Sequence, residues 1–269
     1  MVVVVHSHAG LIRRKGLPGV TALAVAGMAC LAVAACGNSG PRSGSSPTAS
    51  SSGGASASSG AAVTDPLASL SGKQIVAKAV ADLKSAPGFT MTGTVTDSTG
   101  SYNVNLSYKQ GTGCKGTVAQ PGKGSFAMVV IGTTAWVKPD EAFWKANAGS
   151  QASAAIALLS GRYLKGSTSN ANVASLTKLC DATSLANSLA QPTDVTKGKV
   201  TSMAGQRVLP LTDKAKGGIL YVTDTSAPRI IELANTKAGE SGKLTFSYAA
   251  VTLTAPPASQ SVDGSKLGF

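Results

Sequence analysis

GFTMTGTVTDSTGSYNVNLSY, residues 88–108, decides the fold. Phe89, Met91, Gly93 and Val95 alternate with Thr90, Thr92, Thr94 and Thr96. After a run of turn formers at 97–101, Tyr102, Val104, Leu106 and Tyr108 alternate with Asn103, Asn105 and Ser107. A period of two belongs to a strand with one apolar and one wet face, so the stretch reads as a hairpin. Gly93, inside a strand, marks a bulge or a close backbone approach, and either helps a sheet to curve.

Upstream, Ile75, Val76, Ala79, Val80 and Leu83 recur at the spacing of one helix face, with Lys73, Lys78, Asp82 and Lys84 elsewhere. Ser71 is the expected N-cap, and Pro87-Gly88 the stop. Downstream, strands are expected at 115–119, 125–131 and 134–138, the last ended by Pro139. Residues 140–190 change character: 152–159 and 184–189 read as short helices, separated by Ser/Asn-rich loops. Strand patterning returns at 199–203, 206–212, 218–224, 229–235, 243–248 and 251–254. Two blocks of antiparallel strands thus enclose a helical insertion. The economical architecture is α+β, a strongly curved sheet partly closed as a barrel.

The first 35 residues read as a secretory signal: basic Arg13-Arg14-Lys15, an apolar stretch over 17–35, and small residues at its end. Pro18, Gly19 and Gly27 break that stretch, and it runs straight into Cys36-Gly37-Asn38 without the charged flank of a spanning helix. Leu31-Ala32-Val33-Ala34-Ala35-Cys36 resembles the lipobox of bacterial lipoproteins. The resemblance implies cleavage before Cys36 and a diacylglyceryl thioether on its sulfur, anchoring the protein to the extracytoplasmic face of the cell membrane. An ordinary secretory signal with a chance cysteine is the alternative. Residues 36–66, after the cysteine almost wholly Ser, Gly, Ala, Thr and Pro, read as a flexible tether with a mean reach of about 30 Å. The remainder, 67–269, is long enough for a single core.

Loss of the signal lowers the formal charge from +12 to 21 − 12 = +9. That excess suits anionic headgroups, with Lys197, Lys199, Lys214 and Lys216 as candidate contacts against a default of scattered solvated lysines. It contains no basic run, and nucleic acid is not an expected partner. Cys114 and Cys180 are left in a compartment where disulfides persist, and a bridge between them would close a loop of 66 residues. Both histidines, His6 and His8, lie in the signal, and the cysteines form no CxxC, so no metal or cofactor is expected. Without an imidazole, Ser-His-Asp and Cys-His mechanisms are excluded. Asp140-Glu141 is the one adjacent acidic pair, and on an extended segment its side chains would point to opposite faces. An enzyme is not expected.

Several pieces in order resemble the LolA/LppX/LprG-like superfamily of bacterial envelope proteins, lipid-anchored members of actinobacterial type above all. They are the lipobox at Cys36, the helix before the paired strands, GTTAWVK at 132–138 followed by Phe143-Trp144, Tyr221-Val222-Thr223-Asp224, and KLTFSY at 243–248 with VTLTAPP at 251–257. The resemblance implies a half-open β-barrel wrapped by helices that cap a hydrophobic cavity, in which known relatives carry lipids, glycolipids or acyl chains. Phe89, Met91, Val95, Val104, Leu106, Phe126, Met128, Ile219 and Tyr221 are the candidate lining residues. The same side chains would equally pack a filled core, because pocket and core draw on the same residue types. Trp136 and Trp144 are candidates for a cavity mouth or for core anchoring beside the insertion. The function expected is that of a lipid or long-apolar-ligand binding lipoprotein; the alternative is a structural or partner-binding envelope lipoprotein with no ligand.

Overall fold

The computed structural model describes residues 65–159, 161–237 and 240–265. The signal, Cys36 and the tether up to residue 64 lie outside the described residues. Leu67, almost the first described residue, is fully buried. Helix α1 spans Gly72–Ser85. Ser71 Oγ accepts from Gln74 N, and Gln74 Oε1 accepts from Ser71 N, a capping box that satisfies two backbone donors at the start of the helix. Ile75, Val76, Ala79, Val80 and Leu83 are buried, as their spacing predicts.

Five strands follow as a meander: β1 Gly88–Asp97, β2 Gly100–Lys109, β3 Gly113–Gln120, β4 Gly124–Ile131 and β5 Thr134–Pro139. The insertion carries α2 Glu141–Asn147, α3 Ala152–Leu159, β6 Tyr163–Ser167, α4 Ala171–Thr177 and α5 Ala182–Leu189. The second block is β7 Val195–Lys197, β8 Thr201–Met203, β9 Gln206–Asp213, β10 Gly218–Thr223, β11 Ile230–Asn235 and β12 Ser241–Ser247, with β13 Ser261–Asp263 after it. One curved sheet holds all of them in the order β13-β6-β5-β4-β3-β2-β1-β12-β11-β10-β9-β7, with β8 also paired to β9. The blocks join where β1 pairs antiparallel with β12, and the two end strands stay unpaired with each other. The result is a half-open barrel, antiparallel except where β13 lies parallel to β6.

Register turns the alternation into two faces. On the core face, Phe246, Met91, Leu106, Gly116, Met128, Val137 and Leu164 stand in one row across seven strands. Phe89, Tyr108, Cys114, Val130 and Ala135 form the next row. On the opposite face, threonines pair across strands: Thr90 with Ser107 and Thr92 with Thr245, each at 2.9 Å between hydroxyl oxygens, and Thr94 Oγ1 donating to Asn103 Oδ1 at 2.9 Å. Gly93 marks a close approach and not a bulge: its φ is +149°, its register with β12 is unbroken, and a Cβ there would collide with the Lys243 carbonyl.

The insertion departs most from the sequence expectation. Where Ser/Asn-rich loops are expected, α2, β6 and α4 form. Asp140 and Asn170 cap the two helices, each accepting from a backbone N–H of the first turn. β6 is a strand because β5 offers it an edge, with Trp136 opposite Lys165 and Val137 opposite Leu164. The strand expected at 251–254 does not form. β1 and β12 already have partners on both sides, so its alternation finds no free edge there, and Val251 packs beside the backbone of Gly88 instead.

Candidate functional site

The concave face and its helical cover gather most of the apolar side chains that the sequence singles out. Phe89, Met91, Leu106, Phe126 and Met128 are buried in one cluster with α1 and α5, and Val95 and Val104 pack half-buried against it. Phe89 stacks on Tyr108 at 4.6 Å between ring centroids and meets Phe246 at 6.2 Å. Seven of the nine expected lining residues are thus brought together. Ile219 and Tyr221 are not: on β10 it is Leu220 and Val222 that join the cluster. Ile219-Leu220-Tyr221-Val222 is apolar on both phases, so alternation could not choose between them.

A disulfide joins Cys114 on β3 to Cys180, in the turn after α4, with 5.2 Å between Cα atoms. It ties the cover to the middle of the sheet. Beside it the buried Tyr108 hydroxyl donates to the Leu179 carbonyl at 2.8 Å. Burial, with the nearby Asp181 carboxylate in addition, pushes the Tyr108 phenol well above its ordinary pKa, so it stays a neutral donor.

Under α1 and α5 lies an apolar cleft of about 30 Å³, lined by Val76, Leu189, Val195, Leu211, Leu220 and Leu233 among others. It has room for a water or two, whereas pockets for drug-sized ligands measure about 300–1,000 Å³. Asp213 reaches its wall, but its carboxylate is spent on the backbone, accepting from Thr193 N at 2.9 Å, Ala215 N at 3.1 Å and Lys216 N at 3.2 Å. Burial works against its charge, yet those hydrogen bonds hold its pKa below the usual carboxylate range.

The other end is covered by α2, against which α3 packs. Phe143 meets Phe126 edge-on at 5.7 Å, and Trp144 meets Phe143 at 6.1 Å. Trp144 is half-buried there, whereas Trp136 is buried on the opposite face of β5, across from Val129. Asp140 begins a helix and not an extended segment. Oδ1 accepts from Phe143 N at 2.7 Å, and Oδ2 accepts from Ser125 N and Oγ at 2.9 and 2.7 Å. Desolvation opposes its charge, but these bonds outweigh it and lower the pKa. The pair Asp140-Glu141 is therefore a cap and a first-turn residue, placed to favour the helix dipole.

Lys197 Nζ donates to the carbonyls of Leu67 and Ala68, and Lys216 Nζ to that of Gln191, so both lysines tie down backbone. Ser175 on α4 and Lys178, just after its end, have the spacing of a Ser/Lys hydrolase. Both are exposed, without the apolar surroundings that would turn a lysine into a base.

No family profile and no curated protein sequence matches the chain. Solved structures do. The chain resembles mycobacterial LprF and LppX. With LprF from Mycobacterium bovis the TM-score is 0.48 and the identity 15%, over 69% of this chain and 96% of that one. With the lipoprotein LppX from Mycobacterium tuberculosis they are 0.44 and 12%, over 68% and 98%. A conserved protein from Thermus thermophilus gives 0.36 and 11%, over 71% and 98%. These are likenesses of fold at low identity.

Proposed function

We propose that this protein is an extracytoplasmic lipoprotein, anchored through Cys36, that holds a lipid or another long apolar ligand between the concave sheet and its helical cover. The observation that carries this reading is the apolar face itself, rows of Phe, Met, Leu and Val across an unclosed sheet, covered at one end by helices with little buried surface. Binding would be by burial: each methylene removed from water contributes about 0.8 kcal/mol, and no charged group is needed. The cleft under α1 and α5, about 30 Å³, is far too small for an acyl chain, so a ligand held there would require that cover to move outward. No catalytic step enters this reading. Among the described residues no helix is long and apolar enough to cross a membrane, and the anchor on Cys36 supplies attachment.

Native mass spectrometry with organic extraction, on the processed chain from its own membrane, tests the proposal. Stoichiometric lipid in the spectrum supports it; a bare polypeptide mass after incubation with envelope lipids overturns it. Cys36→Ser is expected to move the protein out of the membrane fraction, and continued retention would refute the anchor. The tight packing favours a second reading, a partner-binding envelope lipoprotein with a filled core. Met128→Trp separates the two: it would block uptake in a carrier, whereas in a filled core it would only destabilise, by about 1–3 kcal/mol.

A further inference from the structure

Helix α3, ASAAIALL, carries no charge, yet of its eight residues only Ala152 and Leu159 are buried. Ile156 is half-buried and Leu158 is 47% exposed, the one large hydrophobic side chain exposed among the described residues. Its partner α2 has no buried residue and holds the half-buried Trp144. A ring with an apolar body and a polar N–H suits a boundary between hydrocarbon and water. Cations frame the pair. Arg162 Nη2 donates to the Leu158 carbonyl at 2.9 Å and Nε to that of Leu159 at 3.2 Å, which sets a guanidinium at the α3 C-terminus. Lys145 and Lys165 are exposed, and Lys138 lies over the Tyr163 ring at 5.1 Å. From 138 to 165 four cations face two acids, of which Asp140 is consumed as a cap and Glu141 pairs with Lys145.

We propose that the α2–α3 hairpin is a docking surface for an anionic bilayer, Leu158 entering the acyl boundary while Arg162, at the end of α3, and Lys138, at the end of β5 from which α2 starts, meet headgroup phosphates. An apolar helix edged by cations gains from both terms: burial of hydrocarbon and attraction worth about 1 kcal/mol for each basic residue near an anionic surface. A soluble protein partner would fit the leucine, but it would not need a cationic rim with so little acid. The inference rests on the envelope location proposed above and is independent of any cargo. Docking would hold the loosely covered end of the concave face against the membrane.

The test uses the full processed chain, reconstituted in vesicles containing phosphatidylglycerol with brominated acyl chains. Leu158→Trp is expected to add a fluorescence component that the bromines quench. Thr94→Trp, on the exposed polar face of β1, is the control and is expected to escape quenching. Raising salt from about 0.1 M to about 1 M shortens the Debye length from about 10 Å to about 3 Å and is expected to weaken the quenching at 158. Equal quenching at both positions, or none at 158, overturns the proposal. Flotation of the same variants with the vesicles shows whether the Cys36 anchor is present, so failure of the anchor and failure of the docking face give different results.

Discussion

The two ends of the helical cover are built differently. α1 turns a full apolar face into the core and is fixed by a capping box. α5, close by, adds Leu185, Ala186 and Leu189 to the same cluster, and the disulfide at Cys180 pins the turn before it. α2 and α3 together bury only Ala152 and Leu159, and α2 meets the sheet through Phe143 against Phe126. Local stability follows buried apolar contact. The first cover is therefore part of the core, and the second is the more loosely held end.

The largest expected effect is at the fixed end. Leu83→Ala should cost about 2–5 kcal/mol of global stability by denaturant unfolding, since its side chain is fully buried. A loss below about 1 kcal/mol would mean that α1 is no core element. Replacing both Cys114 and Cys180 by serine should cost about 2–4 kcal/mol, through the unfolded-state entropy of a loop of 66 residues, and should raise amide exchange around α4 and α5. Uniform exchange across all helices would erase the contrast drawn above.

At the loose end the effects shrink. Asp140→Ala should cost about 1 kcal/mol and show mainly as faster amide exchange in α2. The same contrast is open to titration. Asp140 and Asp181, the caps of α2 and α5, have depressed pKa values, Asp181 chiefly through the Ser184 hydroxyl. A depressed carboxylate stabilises fully above its unfolded pKa of about 3.9, and that contribution is lost as pH falls through the lower folded value. The Ser71 cap of α1 does not titrate. Below about pH 3.9 α2 should thus exchange before α1, and the reverse order would refute the cap argument. Leu158→Glu, at an exposed site, should change stability by no more than about 0.5 kcal/mol.

Much of this was legible in the chain. The hairpin of β1 and β2, the α1 cap and stop, α3, α5 and most of the second strand block follow from periodicity and capping residues. The insertion was harder to read because α2 and α4 have seven residues each, too short for a periodic pattern, and their signal is confined to the caps Asp140 and Asn170. Tyr163–Ser167 contains Gly and Ser and becomes β6 only by pairing with β5. Exposure of Leu158 was not legible either, since an uncharged helix reads as buried.

By itself the sequence determined which segments alternate and with what period, because side-chain direction along a strand or helix is a local property. It also limited the chemistry, by placing no histidine after residue 8 and two cysteines, Cys114 and Cys180, after residue 66. Only the tertiary structure decided that the blocks meet through β1 and β12, that β10 turns Leu220 and Val222 inward, and that the cover is tight at α1 and thin at α2 and α3. Those outcomes depend on which strand edge is free and which apolar face finds a partner, and both are settled by the whole chain at once.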